Sequence, residues 1–388
     1  MAAPIASLEA FAVSIPRDVP YLGPLGPGES VNAKGYIVRR GNRTIYPSSD
    51  MSVLVRARAA DGTIGWGETY GIVAPQAVLA ILREVLFPFV EGRDARDASA
   101  IYDELYDLQR VRGASGGYYG DALAAVDIAL WDLAARQDRV PLCEALGGAR
   151  TRTLPAYASG LPRATLAERV ELARSFATRG FRGIKYAGVV SHEGVVEELR
   201  ALREALPDAD LMADLHWRYT ADEALKLARD VQDARPFFLE APCAPEDIDA
   251  LARVAAASPV PIAAGEEWRN AFEAKQRLAH APLAFVQPEM AHTGVSQFVK
   301  ITQLAHERGA GVIPHATIGV GIFLAASLHA SSTLANCAYH EYQHSVFDRN
   351  LAHVDTTMRC EAGLYTLPEG PGLGVVPRAS LARHRMDA

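Results

Sequence analysis

An α/β fold, a modified (β/α)8 barrel of the TIM type carrying an α+β capping domain at its N-terminal side, is predicted for this 388-residue chain. Three observations predict it. From Thr153 onward, short apolar stretches alternate with helical ones. Eight such strands can be read. Most of them end in an ionisable residue, at nearly constant intervals. Residues 1–150 are assigned to the cap, 151–354 to the barrel, and 355–388 to a segment that returns to the cap.

The cap opens with a hairpin. Met51–Ala59 alternates apolar and polar residues, Asp61-Gly62 supplies the turn, and Thr63–Glu68 returns. Helical periodicity follows over Gln76–Phe89 and Asp121–Ala135, where Leu123, Val126, Leu130 and Leu133 share one face. A glycine-rich loop, Gly113–Gly120, lies between them. The barrel strands are predicted at Thr153–Ala158, Gly183–Ala187, Leu211–His216, Phe237–Glu240, Ile262–Glu266, Phe285–Glu289, Gly311–His315 and Ala338–Glu341. Helices are predicted over Leu166–Arg179, Ala221–Val231, Ile248–Ala257 and Val295–Arg308.

Asp214, Glu240 and Glu266 follow one another at 26-residue steps; Glu289 comes 23 later, then His315 and Glu341 at 26 each. One βα unit of a barrel of about 250 residues has that length, so these side chains gather at the C-terminal mouth, where barrel enzymes keep their active sites. Three carboxylates from neighbouring strands repel one another unless a cation neutralises them. An all-oxygen set suits Mg²⁺, whereas zinc favours His or Cys. The alternative, that these acids merely pair with loop arginines, leaves the regular spacing without a reason.

Composition removes other classes. Formal net charge is −7 with no basic stripe, so neither nucleic acid nor an anionic membrane is an expected partner. Ala74–Val90 is interrupted by Gln76, Arg83 and Glu84 and does not read as a membrane span. Met1–Pro16 has no basic n-region, and the four cysteines form no CxxC pair, so a reducing cytoplasm is the expected location. With 34 arginines and only five lysines, Lys185 inside a buried strand calls for a reason.

The series Gly183-Ile184-Lys185, Ala213-Asp214-Leu215-His216, Leu239-Glu240-Ala241-Pro242, Ala264-Gly265-Glu266, Gln287-Pro288-Glu289 and Pro314-His315 resembles the strand ends of the mandelate racemase branch of the enolase superfamily. Gly65-Trp66-Gly67-Glu68 and Ala125–Asp132 resemble its capping domain. The likeness runs in order along nearly the whole chain. It implies that Asp214, Glu240 and Glu266 bind Mg²⁺, that an ene-diolate forms when the carbon beside a carboxylate loses its proton, and that the substrate is a small carboxylic acid. It also implies a homo-oligomer.

The resemblance further assigns the acid and base. Relatives with a lysine base carry Lys-x-Lys on the second strand; here Ala187 takes the second place, which argues against a two-base racemase. Lys185 is expected to hold the substrate carboxylate. Strand alternation places Asp214 and His216 on one side of the third strand. Asp214-x-His216 is similar to galactonate dehydratase-like members, which implies that His216 takes the α-proton and His315 protonates the departing β-hydroxyl. Glu289 would orient His315. Glu341, His292 and Arg218 are expected on the substrate side, with Glu267 beside them. Loops around Tyr21–Ser30 and Arg112–Tyr119 would select the sugar.

Gly113-Ala114-Ser115-Gly116-Gly117 matches G-x-S-x-G, yet no strand precedes it, so no nucleophile elbow is expected. No G-x-G-x-x-G follows a strand, which removes a nicotinamide cradle. The expected activity is dehydration of an aldonate or aldarate to a 2-keto-3-deoxy acid. A cycloisomerase or one-base epimerase keeps the same chemistry with another outcome. A non-catalytic carboxylate-binding barrel would need neither the carboxylate triad nor the His315–Glu289 pair.

Overall fold

The computed structural model describes residues 3–113, 116–190 and 193–386. The cap is built on a three-stranded antiparallel sheet with Ser49–Ala59 between Ile5–Pro16 and Ile64–Tyr70. The Asp61-Gly62 turn forms where the sequence places it: Gly62 takes φ 88°, and Asp61 accepts the amide of Thr63 at 2.9 Å. The long first strand, Ile5–Pro16, was not foreseen.

A 22-residue helix, Gly117–Asp138, lies across this sheet. Gly65 and Gly67 allow the close approach. A Cβ on Gly67 would stand 1.9 Å from the carbonyl oxygen of Ala125, and one on Gly65 would stand 2.4 Å from that of Ala129. The predicted Gln76–Phe89 helix runs from Pro75 to Val90, with a π-helical stretch over Ile81–Leu86.

The barrel strands are Thr153–Ser159, Gly183–Ala187, Asp210–Asp214, Phe238–Glu240, Ile262–Ala264, Phe285–Val286, Gly311–Val312 and His340–Tyr342. Consecutive strands pair in parallel from the first to the seventh. The eighth pairs with the first, and a bridge between Val312 and Cys337 closes the ring. Helices at Leu166–Thr178, Val195–Ala205, Ala221–Asp230, Ile248–Ala257, Ala271–His280, Met290–Glu307 and Ile322–Ser331 wrap it. Three of these (195–205, 271–280 and 322–331) went unread in the sequence.

Several predicted strands reach too far. The third stops at Asp214, the fifth at Ala264, the sixth at Val286 and the seventh at Val312. Strands diverge at the mouth of a barrel, so ladder hydrogen bonds end before the side chains that the loops present. At the C-terminal end, Met386 donates its amide to Ala12, on the first strand of the cap. Among the described residues no helix is long and apolar enough to cross a membrane, and all four cysteines are unpaired.

Candidate active site

Period-two alternation builds the mouth one layer above a packed plug. Tyr157, Met212, Phe238, Ile313 and Tyr339 pack together inside the barrel. Two residues further along the chain in each case, on or just past these strands, come Ser159, Asp214, Glu240, His315 and Glu341. Gly183 also faces inward, since a Cβ there would stand 2.6 Å from that of Tyr157, and two residues later comes Lys185. Glu266 arrives differently: Gly265, at φ 124°, turns the chain after the fifth strand ends.

Lys185 is buried, with Nζ 2.8 Å from Glu240 and 3.2 Å from Glu341. It also sits over the Tyr157 ring, 5.3 Å from its centroid. This accounts for a lysine in so arginine-rich a chain: it neutralises two buried carboxylates from inside the barrel wall. Glu341 further accepts the hydroxyl of Ser159 and the amide of Ala316. Burial works against ionising Glu341, but Lys185 and His315 outweigh it and lower its pKa.

His315 and Glu289 form a pair across the sixth and seventh strands, with Nδ1 2.7 Å from Glu289 Oε2. The opposite nitrogen, Nε2, is 3.1 Å from Glu266 and 3.5 Å from Glu341. Burial disfavours the imidazolium, yet Glu266, Glu341 and Glu289 together raise its pKa well above the ordinary value. Glu289 caps the helix that follows by accepting the amide of Ala291, and it takes a 2.6 Å hydrogen bond from the hydroxyl of Tyr70.

The expected carboxylates converge with one difference. One ligand atom from each of Glu240, Glu266 and His315 lies within 4.8 Å of the others. Asp214 is turned onto His216 instead: Oδ1 accepts the His216 amide at 2.9 Å, and Oδ2 is 3.0 Å from His216 Nε2. His216 does not reach that place by alternation. The strand ends at Asp214, and His216 and Trp217 both take left-handed backbone, at φ 49° and 55°.

The donor set fits a hard divalent cation. Among the described residues Glu240 Oε1 is buried without a hydrogen-bond partner, and Glu266 Oε2 meets His315 Nε2 at 3.1 Å. Burial raises the pKa of Glu266 well above the carboxylate range, and Asp214 and Glu240 add repulsion. Burial raises Asp214 as well. Asp214, Glu240, Glu266, Glu289 and Glu341 thus meet one lysine and two imidazoles, an excess of negative charge that a cation among oxygen donors relieves.

Above these groups lies a cavity of about 380 Å³, partly covered by the cap. Its roof comes from Tyr21, Leu22, Ile45, Tyr46, Ile72 and Val73. Tyr118 also lines it, from the predicted Arg112–Tyr119 loop; Ala114 and Ser115, within the G-x-S-x-G match, lie outside the described residues. His292 lines the cavity and binds Asp121 of the capping helix at 2.6 Å. Arg218 does not line it; it is exposed and reaches the carbonyl of Gly188 at 3.4 Å. Glu267 meets the indole of Trp268 at 3.1 Å. Tyr70, Asp121, Ser159 and Gln343 were not foreseen.

Comparison with known proteins agrees with this architecture. The enolase C-terminal domain-like profile matches residues 168–381, and the mandelate racemase/muconate lactonizing enzyme N-terminal domain profile matches 45–147. D-galactarolactone cycloisomerase of Agrobacterium fabrum is 31% identical over 86% of this chain and 91% of its own. D-galactonate dehydratase of Xanthomonas euvesicatoria is 29% identical over 86% and 90%. The crystal structure of an enolase superfamily member from Agrobacterium tumefaciens is 51% identical, covers both chains completely and superposes with a TM-score of 0.96. Structures of similar proteins carry bound magnesium. On this agreement of sequence and fold, the chain belongs to the mandelate racemase/muconate lactonizing enzyme family of the enolase superfamily.

Proposed function

We propose that this protein is a Mg²⁺-dependent dehydratase of a sugar acid, converting an aldonate or aldarate to a 2-keto-3-deoxy acid. The observation that carries the reading is the His315–Glu289 pair, held at 2.7 Å beside the buried carboxylates. Asp214, Glu240 and Glu266 would hold the metal, whose positive charge makes the proton beside a bound carboxylate more acidic.

The remaining steps belong to side chains. His216 accepts the α-proton; its ring reaches substrate only on leaving Asp214, where Nε2 rests at 3.0 Å. His315 fits the acid: Nδ1 is tied to Glu289 at 2.7 Å, which leaves Nε2, on the side of Glu266, Glu341 and the cavity, to donate. The β-hydroxyl takes that proton and departs as water, and the resulting enol tautomerises to the 2-keto acid. Lys185 is held by Glu240 and Glu341, so its part is to keep those carboxylates ionised and in place. The buried setting strengthens each of these interactions.

A second reading is a cycloisomerase of a sugar-acid lactone, which needs one base and no second imidazole. The engagement of His216 with Asp214 favours it, as does the likeness to the galactarolactone enzyme. Incubating the Mg²⁺-loaded protein with a panel of aldonic and aldaric acids and their lactones separates the two. The dehydratase reading expects 2-keto acid from at least one open-chain acid, lost on adding EDTA. Conversion of a lactone, whose ring oxygen leaves in place of water, with no turnover of any open-chain acid would replace it with the cycloisomerase.

A further inference from the structure

A second imidazole–carboxylate pair faces the cavity, this one assembled across the boundary between cap and barrel. His292 stands just past the sixth strand, in the first turn of the helix Met290–Glu307. Its Nδ1 is 2.6 Å from Oδ1 of Asp121, which sits near the start of the capping helix. Arg269, reaching over from beyond the fifth strand, places Nε 3.2 Å from the same Asp121 oxygen. The imidazole packs edge-on against Tyr70, with centroids 4.7 Å apart. Three residues from separate segments, Asp121, Arg269 and Tyr70, therefore fix the ring.

The free edge of that ring is the informative part. Nδ1 faces a carboxylate and so carries the proton, which leaves Nε2 with a lone pair in the neutral ring. Burial and the neighbouring Arg269 both favour that neutral form. His292 lines the cavity, and among the described residues no hydrogen bond or ion pair engages its Nε2. A lone pair aimed at a substrate cavity calls for a donor. A sugar acid brings two kinds of polar group, carboxylate oxygens that only accept and hydroxyls that can donate.

We infer that His292, set by Asp121 of the capping domain, accepts a hydrogen bond from a substrate hydroxyl and so selects hydroxylated acids over their deoxy counterparts. The inference rests on the sugar-acid reading of this site. It asks nothing of turnover, because it concerns binding alone. A site built around such a bond rejects a ligand that lacks the hydroxyl, since the acceptor is then buried without a partner.

The test compares binding of D-galactonate and of hexanoate, an acid of equal chain length without hydroxyls, to the Mg²⁺-loaded protein by calorimetry. Wild type should prefer D-galactonate by at least about tenfold. His292→Phe should remove that preference while leaving hexanoate binding unchanged. His292→Gln, whose side-chain oxygen can occupy the place of Nε2, should restore part of it. Asp121→Asn should weaken the preference without abolishing binding, and it provides a second reading should His292→Phe fail to fold. An equal response of wild type to both acids, whether both bind or neither does, would overturn the inference, as would an undiminished preference in folded His292→Phe. Absence of 2-keto acid in the activity panel, with the preference intact, would instead count against the dehydratase alone.

Discussion

The hydroxyl of Tyr70, at the end of a cap strand, donates to Glu289 Oε2 at 2.6 Å, and the same oxygen receives His315 Nδ1 at 2.7 Å. A residue 219 positions away in sequence thereby shares the carboxylate that orients the proposed acid. The cap is thus part of the proposed catalytic geometry as well as the roof over it.

Tyr70→Phe removes one of the two donors to Glu289 Oε2 and leaves the ring packing in place. Hydrogen bonds to charged groups contribute about 1.5–3 kcal/mol, and the hydroxyl also holds Thr317, so the thermal midpoint should fall and kcat should drop about tenfold to a hundredfold. Steady-state kinetics and a melting curve on one preparation check both halves.

Glu266→Gln should have effects of opposite sign with and without metal. Burial and its carboxylate neighbours penalise the Glu266 charge, so the amide should raise the melting temperature of the EDTA-treated protein. Wild type should gain stability from saturating Mg²⁺, on the order of 2.7 kcal/mol at a hundred times the dissociation constant. The variant should lose most of that gain. Thermal unfolding with EDTA and with Mg²⁺ reads both.

How far the sequence carried the account follows from period. The strands and the 26-residue steps were legible because alternation and unit length are local, and they brought Asp214, Glu240, His315 and Glu341 to one layer. Helices at 195–205 and 271–280 escaped because charges interrupt their apolar faces: Glu198 lies buried among Val195, Leu199 and Leu202, and Arg277 beside Ala274 and Leu278. His216 kept its neighbourhood but not its reason: left-handed backbone after Asp214, not strand alternation, brings its ring back. Tyr70 and Asp121 act through contacts far apart in sequence and leave no periodic trace. The apolar roof from Ile45, Tyr46, Ile72 and Val73 escaped for the same reason.

Asp127 offers a pH signature outside the site. Burial pushes its carboxyl up to about 7 although Ser296 donates two hydrogen bonds to it. A raised folded pKa means that its stabilising contribution is complete below the unfolded value near 4 and is lost as pH rises toward 7. Asp127→Asn should flatten the decline in melting temperature between those limits. An unchanged slope would place the pH dependence elsewhere.

Glu289→Gln keeps an acceptor for His315 Nδ1 but removes the charge. Loss of the charged partner should lower kcat by about a hundredfold or more, the scale of a positioned acid–base group, with KM little altered. A matched fall in affinity would move Glu289 from orienting the acid to binding substrate.

The central claim, that His315 delivers the proton to the leaving hydroxyl while another group takes the α-proton, is tested most directly by His315→Asn in D₂O. The Mg²⁺-loaded variant is mixed with a sugar acid that wild type dehydrates, and NMR follows both deuterium at the α-carbon and 2-keto acid. The account predicts α-exchange that continues while water loss falls by at least about 10². Water loss near the wild-type rate, or exchange and water loss abolished together, would contradict it.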